Sequence, residues 1–159
     1  MKIEKVETNY GFQEIDFSPV ILNSDKTERG GTMSIEHKHI LINAKINDPL
    51  ETFDDAINFL EDLVDRVGMK ILMGPHATYV DTPGNKGVTA IVGIETSHIA
   101  FHIWDEEMPA RLQFDLYTCG SLDKDIVIEA VKERFQVVSA DYRIYDREHG
   151  FVLLEEGTI

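Results

Sequence analysis

Residues 97–104 read Ser-His-Ile-Ala-Phe-His-Ile-Trp, "SHIAFHIW". Ile99, Phe101 and Ile103 fall at every second position, the period of a strand with one apolar face. His98, Ala100, His102 and Trp104 take the other face. Residues 111–119, "RLQFDLYTC", repeat the pattern. Leu112, Phe114, Leu116 and Thr118 share one side; Gln113, Asp115, Tyr117 and Cys119 share the opposite one. The apolar sides need a covering layer. The other side gathers His98, His102, Trp104, Asp115, Tyr117 and Cys119. That set is too aromatic for plain solvent exposure and too polar for a dry core. A face of this kind usually meets a ligand or a partner subunit.

The covering layer is legible in two helical segments. In "NDPLETFDDAINFLEDLVDRVG" (47–68) Leu50, Phe53, Ile57, Leu60, Val64 and Val67 recur at helical spacing. Asp48 reads as its N-cap with Pro49 in the first turn, and Gly68 is placed to end it. In "LDKDIVIEAVKERF" (122–135), Ile126, Ala130, Val131 and Phe135 line one side. Further strands read at 37–46, 69–80, 87–94 and 136–146, with "GFVLLE" (150–155) as another and a Pro83–Gly87 turn between the second and third. The order predicts an α+β fold: a two-layer sandwich of a mainly antiparallel sheet with two helices on one face. Residues 36–159 form its single domain. Residues 1–35, with the turn-rich "SDKTERGG" (24–31), read as an N-terminal extension that adds an edge strand.

The 159 residues are enough for one real core, and 43% hydrophobic with 28% charged content is ordinary for a globular protein. No apolar run approaches the ~18–20 residues of a membrane span, and the start "MKIEKVETNY" has no signal-peptide core. A cytoplasmic protein is expected. A net charge of −14 argues against nucleic acid and suits a cationic ligand. Cys119 stands alone, so it has no internal disulfide partner.

Three chemistries suit the mixed face. A metal site would use His98 with His102, or His37 with His39. Residues four apart on a strand are ~13 Å apart, so one strand cannot bring both His98 and His102 to one ion, and no CxxC or HExxH occurs. No metal is expected. A cysteine hydrolase using Cys119 and a histidine has the residue types but no local signature. The third is self-processing at Ser97. Its hydroxyl attacks the carbonyl of Thr96, the amide becomes an ester, and a base removes the serine α-proton. Elimination then cuts the chain and leaves a pyruvoyl group, a ketone that forms a Schiff base with a substrate amine. His102 can supply the base and Cys119 a proton donor. From residue types alone a plain turn serine is the commoner reading.

The stretch "GVTAIVGIETSHIAFHIWDE…FDLYTCG" (87–120) resembles the signature of bacterial S-adenosylmethionine decarboxylases. Their pattern runs G-V-S/T-G, an apolar strand, E-S-H, two or three residues, H-T-W-P-E, then a strand ending F-T-C-G. "HILINAKINDP" (39–49) and the acidic helix after it resemble the family's opening, so the likeness covers about residues 37–150. The resemblance implies a lyase of spermidine biosynthesis with that family's fold. Ser97 would be the pyruvoyl precursor, His102 the processing base and Cys119 the proton donor in decarboxylation. Thr89 would assist processing of the Thr96–Ser97 bond, and Trp104 and Glu106 would line the substrate site. It further implies a homodimer with its two sheets facing. The sequence departs from the pattern at Thr96, where the family has glutamate, at Ile103 and Asp105, and by two extra residues before Cys119. A pyruvoyl decarboxylase of arginine or ornithine, and an unprocessed binding homologue, are the alternatives.

Overall fold

The computed structural model describes residues 36–50 and 52–159 in full and the backbone of 3–8 and 11–16. The chain divides into two units, residues 1–32 and 33–159. In the first, β1 (Ile3–Thr8) and β2 (Gly11–Asp16) pair antiparallel, from Ile3↔Asp16 to Thr8↔Gly11. Among the described residues these two strands make a two-stranded sheet. The "SDKTERGG" turn lies outside the described residues.

In the second unit the elements run β3 (Lys38–Ile46), α1 (Phe53–Arg66), β4 (Ile71–Val80), β5 (Gly87–Ile94), β6 (Ser97–Trp104), β7 (Ala110–Thr118), α2 (Lys124–Phe135), β8 (Val137–Asp146) and β9 (Val152–Thr158). The sheet order is β4-β5-β6-β7-β3-β8-β9, and every neighbouring pair is antiparallel. Ile99, Phe101, Ile103, Leu112, Phe114 and Leu116 are all buried on one face. Phe59 of α1 and Phe135 of α2 both stack edge-on against Phe101 of β6, at 5.8 and 5.9 Å between ring centroids. Both helices therefore cover the same face, and the fold is the predicted two-layer α+β sandwich. Among the described residues no helix is long and apolar enough to cross a membrane.

Helix α1 begins later than its sequence suggests. Thr52, not Asp48, is the N-cap: its hydroxyl accepts from the Asp55 N–H at 3.1 Å. Asp48 is used elsewhere. Its carboxylate pairs with Arg134 at 3.1 Å and its N–H donates to the Phe135 carbonyl, tying the approach to α1 to the end of α2. The buried stripe is accordingly Ala56, Phe59, Leu60, Leu63 and Val64, while Phe53 at the helix mouth is 50% exposed. Gly68 does end the helix, at φ +68, with its N–H on Asp65 O and that of Met69 on Val64 O.

Gly87 shows why the first glycine of the 87–120 stretch is there. A Cβ built on it would lie 1.7 Å from the Ile103 carbonyl oxygen, so no side chain fits where β5 enters the ladder with β6. That close approach aligns Thr89 with His102 and Ile94 with Ser97.

Candidate active site

Strands β5 and β6 are joined by Glu95 and Thr96 alone, with Ile94 and Ser97 as the closing pair. Two-residue hairpin loops normally take positive φ within the loop, so that the turn matches the strands' twist. Here neither Glu95 nor Thr96 does so. The excursion falls on Ser97, at φ +153, a conformation an L-residue adopts at a cost of about 1–3 kcal/mol. The loop is pinned on both sides. The Glu95 N–H donates to the Lys70 carbonyl at 2.9 Å, and the Thr96 carbonyl accepts from the Cys119 N–H at 3.0 Å. Gly120 lets this happen, since a Cβ there would press on Thr96 Cγ2 at 3.3 Å. Ser97, Thr96 and Cys119 thus meet at one end of the sheet. Strict alternation from Ser97 would send its side chain to the helix face, but the bend brings Ser97 Oγ to within 3.0 Å of His98 Nδ1 on the outer face.

His98 belongs to a network along that face. His98 Nε2 lies 3.2 Å from Asp115 Oδ2, and His39 Nε2 lies 3.4 Å from the same oxygen. Tyr117 stands between the rings of His39 and His98, meets His37 Nδ1 through its hydroxyl at 2.7 Å, and carries the Arg147 guanidinium 4.1 Å above its ring. A groove of about 500 Å³ continues along the face past Asp115, lined also by Leu41, Asn43, Gln113, Asp141 and Tyr145. Among the described residues, no group of three or more His, Cys, Asp or Glu side chains is arranged to hold a metal ion. The sequence sorts His98 and Asp115 onto one face but assigns them no task. The signal was available in the Ser-His dipeptide and an aspartate on the consecutive strand, and only the register joins them.

His102 is not in this cluster. It sits five residues beyond Ser97 along β6, roughly 16 Å away at ~3.3 Å per residue. There it faces Thr89 across the β5–β6 ladder, with Thr89 Oγ1 and His102 Nδ1 2.5 Å apart. The Trp104 ring packs on it at 3.9 Å between centroids and donates its own N–H to Asn85 at 2.9 Å. Glu106 accepts from the N–H groups of Gly84 and Lys86, so its carboxylate holds the β4–β5 loop. His102 Nε2 is buried without a partner, which ordinarily costs about 1–3 kcal/mol. When Nδ1–H donates to Thr89, the Nε2 lone pair is free to take a proton.

Burial also lowers the His102 pKa from its ordinary 6.5. The imidazole is therefore unprotonated at neutral pH and able to accept a proton. The unfolded chain takes up a proton below pH 6.5 that the folded site refuses, so this residue withdraws stability as pH falls through and below that value. His149 has the opposite sign. Its hydrogen bond to Asp146 raises its pKa, so its contribution is present in acid and lost as pH rises. Comparing His102→Gln with its parent, both in an uncut Ser97→Ala background, isolates the first effect. The parent's Tm should fall relative to the variant between pH 7.5 and 5.5; parallel curves would contradict it.

A seven-stranded antiparallel sheet with two helices on one face defines a two-layer α+β sandwich, and a strained serine and a cysteine meet at one of its hairpins. The chain belongs to the S-adenosylmethionine decarboxylase family, whose family model matches residues 38–148, well over half of it. That family is one of pyruvoyl-dependent decarboxylases.

Proposed function

We propose that this protein is a pyruvoyl-dependent S-adenosylmethionine decarboxylase that makes its own cofactor by cutting itself between Thr96 and Ser97. The observation that carries this is the state of that peptide bond. Ser97 is held at φ +153, and the Thr96 carbonyl is held by the Cys119 N–H at 3.0 Å. The strained rotation is about the bond from the serine nitrogen to its Cα. Transfer of the acyl group from nitrogen to Oγ breaks the bond on the other side of that nitrogen and frees the rotation. The Cys119 N–H is aimed at the oxygen on which negative charge develops as the hydroxyl adds. The Thr96 carbonyl is main chain, so threonine in place of the family's glutamate does not remove the reacting group.

The next step needs a base at the Ser97 α-proton, and the same chain's His102 is roughly 16 Å off. A second copy supplies it. In a two-fold dimer with the outer faces opposed, the Ser97–Cys119 end of one protomer meets the Thr89–His102 end of its partner. The neutral imidazole takes the α-proton, the ester is eliminated, and the residue at 97 is left to hydrolyse to the ketone. Such a ketone supplies an electrophile for a substrate amine and a sink for the electrons released with CO₂. Cys119, whose main chain meets Thr96, is the proton donor of this reading. Trp104 offers a flat face for the ligand, and Asp115 and Asp141 along the groove favour a cation.

Complementation tests the shared site. Ser97→Ala and His102→Ala chains are each unable to complete processing alone. When the two are co-expressed, each mixed dimer has one site with an intact Ser97 and an intact partner His102. In purified mixed dimers the His102→Ala chain should then be cut to completion. If the mixture behaves as the sum of the two variants, His102 does not act across a dimer. The processed enzyme should release CO₂ from S-adenosylmethionine in preference to arginine or ornithine.

A further inference from the structure

The self-processing reading names a base for the α-proton but none for the hydroxyl, and the structure holds one within reach. Ser97 Oγ, His98 Nδ1, His98 Nε2 and Asp115 Oδ2 form a continuous line, with separations of 3.0 Å at the hydroxyl and 3.2 Å at the carboxylate. We infer, on that reading, that His98 is the catalytic base and acid of the acyl shift and Asp115 its positioning residue. The hydroxyl is within hydrogen-bonding reach of Nδ1, and the carboxylate 3.2 Å from the other ring nitrogen favours the tautomer protonated there, which leaves Nδ1 free to accept. His39 Nε2 adds a second donor to the same carboxylate oxygen from the far strand. Asp115 is thereby gripped between β6 and β3 and held in place behind His98.

The chemistry balances without a co-reactant. The Ser97 Oγ–H proton passes to His98 Nδ1 as Oγ bonds to the Thr96 carbonyl carbon. The carbonyl oxygen takes the negative charge and is met by the Cys119 N–H. As that charge returns to re-form the carbonyl, the bond from Thr96 carbon to Ser97 nitrogen breaks. Nδ1 returns its proton to the departing nitrogen. The product is an isomer of the starting chain: an ester at Oγ and a free amine on Ser97. His102 then acts on the ester, so the two histidines of the strand serve consecutive steps and stall at different species.

That difference is the test. In full-length protein, His98→Ala should slow formation of the cut chain by about 100-fold or more, the usual worth of a positioned base. The chain that accumulates should resist hydroxylamine, because no ester has formed. His102→Ala should accumulate a chain that hydroxylamine cuts. Added imidazole can occupy the space left by His98→Ala and should restore part of the rate. Asp115→Asn preserves the packing and removes the charge. It should slow cutting about 10-fold, again with a hydroxylamine-resistant chain, and it carries the test if His98→Ala does not fold. A folded His98→Ala chain that cuts at the wild-type rate, or that stalls as a hydroxylamine-sensitive ester, overturns the assignment and leaves self-processing standing. A wild-type chain that never cuts removes both.

Discussion

Ser97→Ala should give one uncut chain however long it is incubated, with no decarboxylase activity. The hydroxyl is the only group that attacks the Thr96 carbonyl, and alanine offers no substitute. The loss is complete and not graded, because the attacking atom is itself removed. The fold should survive, since Ser97 is half-buried at a hairpin edge and its backbone bonds to β5 and β7 remain. The φ strain persists with alanine, so Tm should change by only a few degrees. Intact mass and a thermal melt on the same sample check both statements. A Ser97→Ala chain that still cuts at this bond would mean that another group attacks.

Cys119→Ala should separate making the cofactor from using it. The bond to the Thr96 carbonyl comes from the main-chain N–H of residue 119, which alanine keeps. Cutting should therefore proceed at close to the wild-type rate. The thiol is lost, and with it the proposed proton donor. Turnover should fall by about 100-fold or more, in the range of a lost general acid. KM should change much less, because protonation follows binding. A fully cut variant with unchanged kcat would remove Cys119 from catalysis.

The sheet and its two faces were legible because alternation is a local property. Ile99, Phe101 and Ile103 had to share a side whatever their neighbours were. The start of α1 was not legible, since Asp48 and Thr52 are both good caps. The choice between them was made by Arg134, which draws Asp48 away from 86 residues along the chain. Strand order was likewise hidden. Nothing local to "HKHILINAKI" says that β3 lies between β7 and β8, and that placement is what brings His39 to Asp115.

The site was legible by residue type more than by position. Ser97, Thr96 and Cys119 do come together, through a hydrogen bond that no spacing rule announces. His102 is separated from them by the same rise per residue that keeps His98 and His102 from one metal ion. Ser97, His102 and Cys119 do not form one cluster within a single protomer, which is why the proposed function divides them between two. The Ser97–His98–Asp115 line needed both the bend at Ser97 and the β6–β7 register, and each of these is tertiary.

Intact mass of the freshly purified wild-type protein under denaturing conditions tests the central claim most directly. Self-processing predicts two polypeptides, residues 1–96 ending in a free Thr96 carboxylate and a second chain beginning at position 97. The second should be lighter than a serine-initiated chain by the conversion of that serine to a ketone, and borohydride should add hydrogen to it. A single species with the mass of all 159 residues, unchanged after prolonged incubation, would contradict the account and leave a binding protein built on this fold.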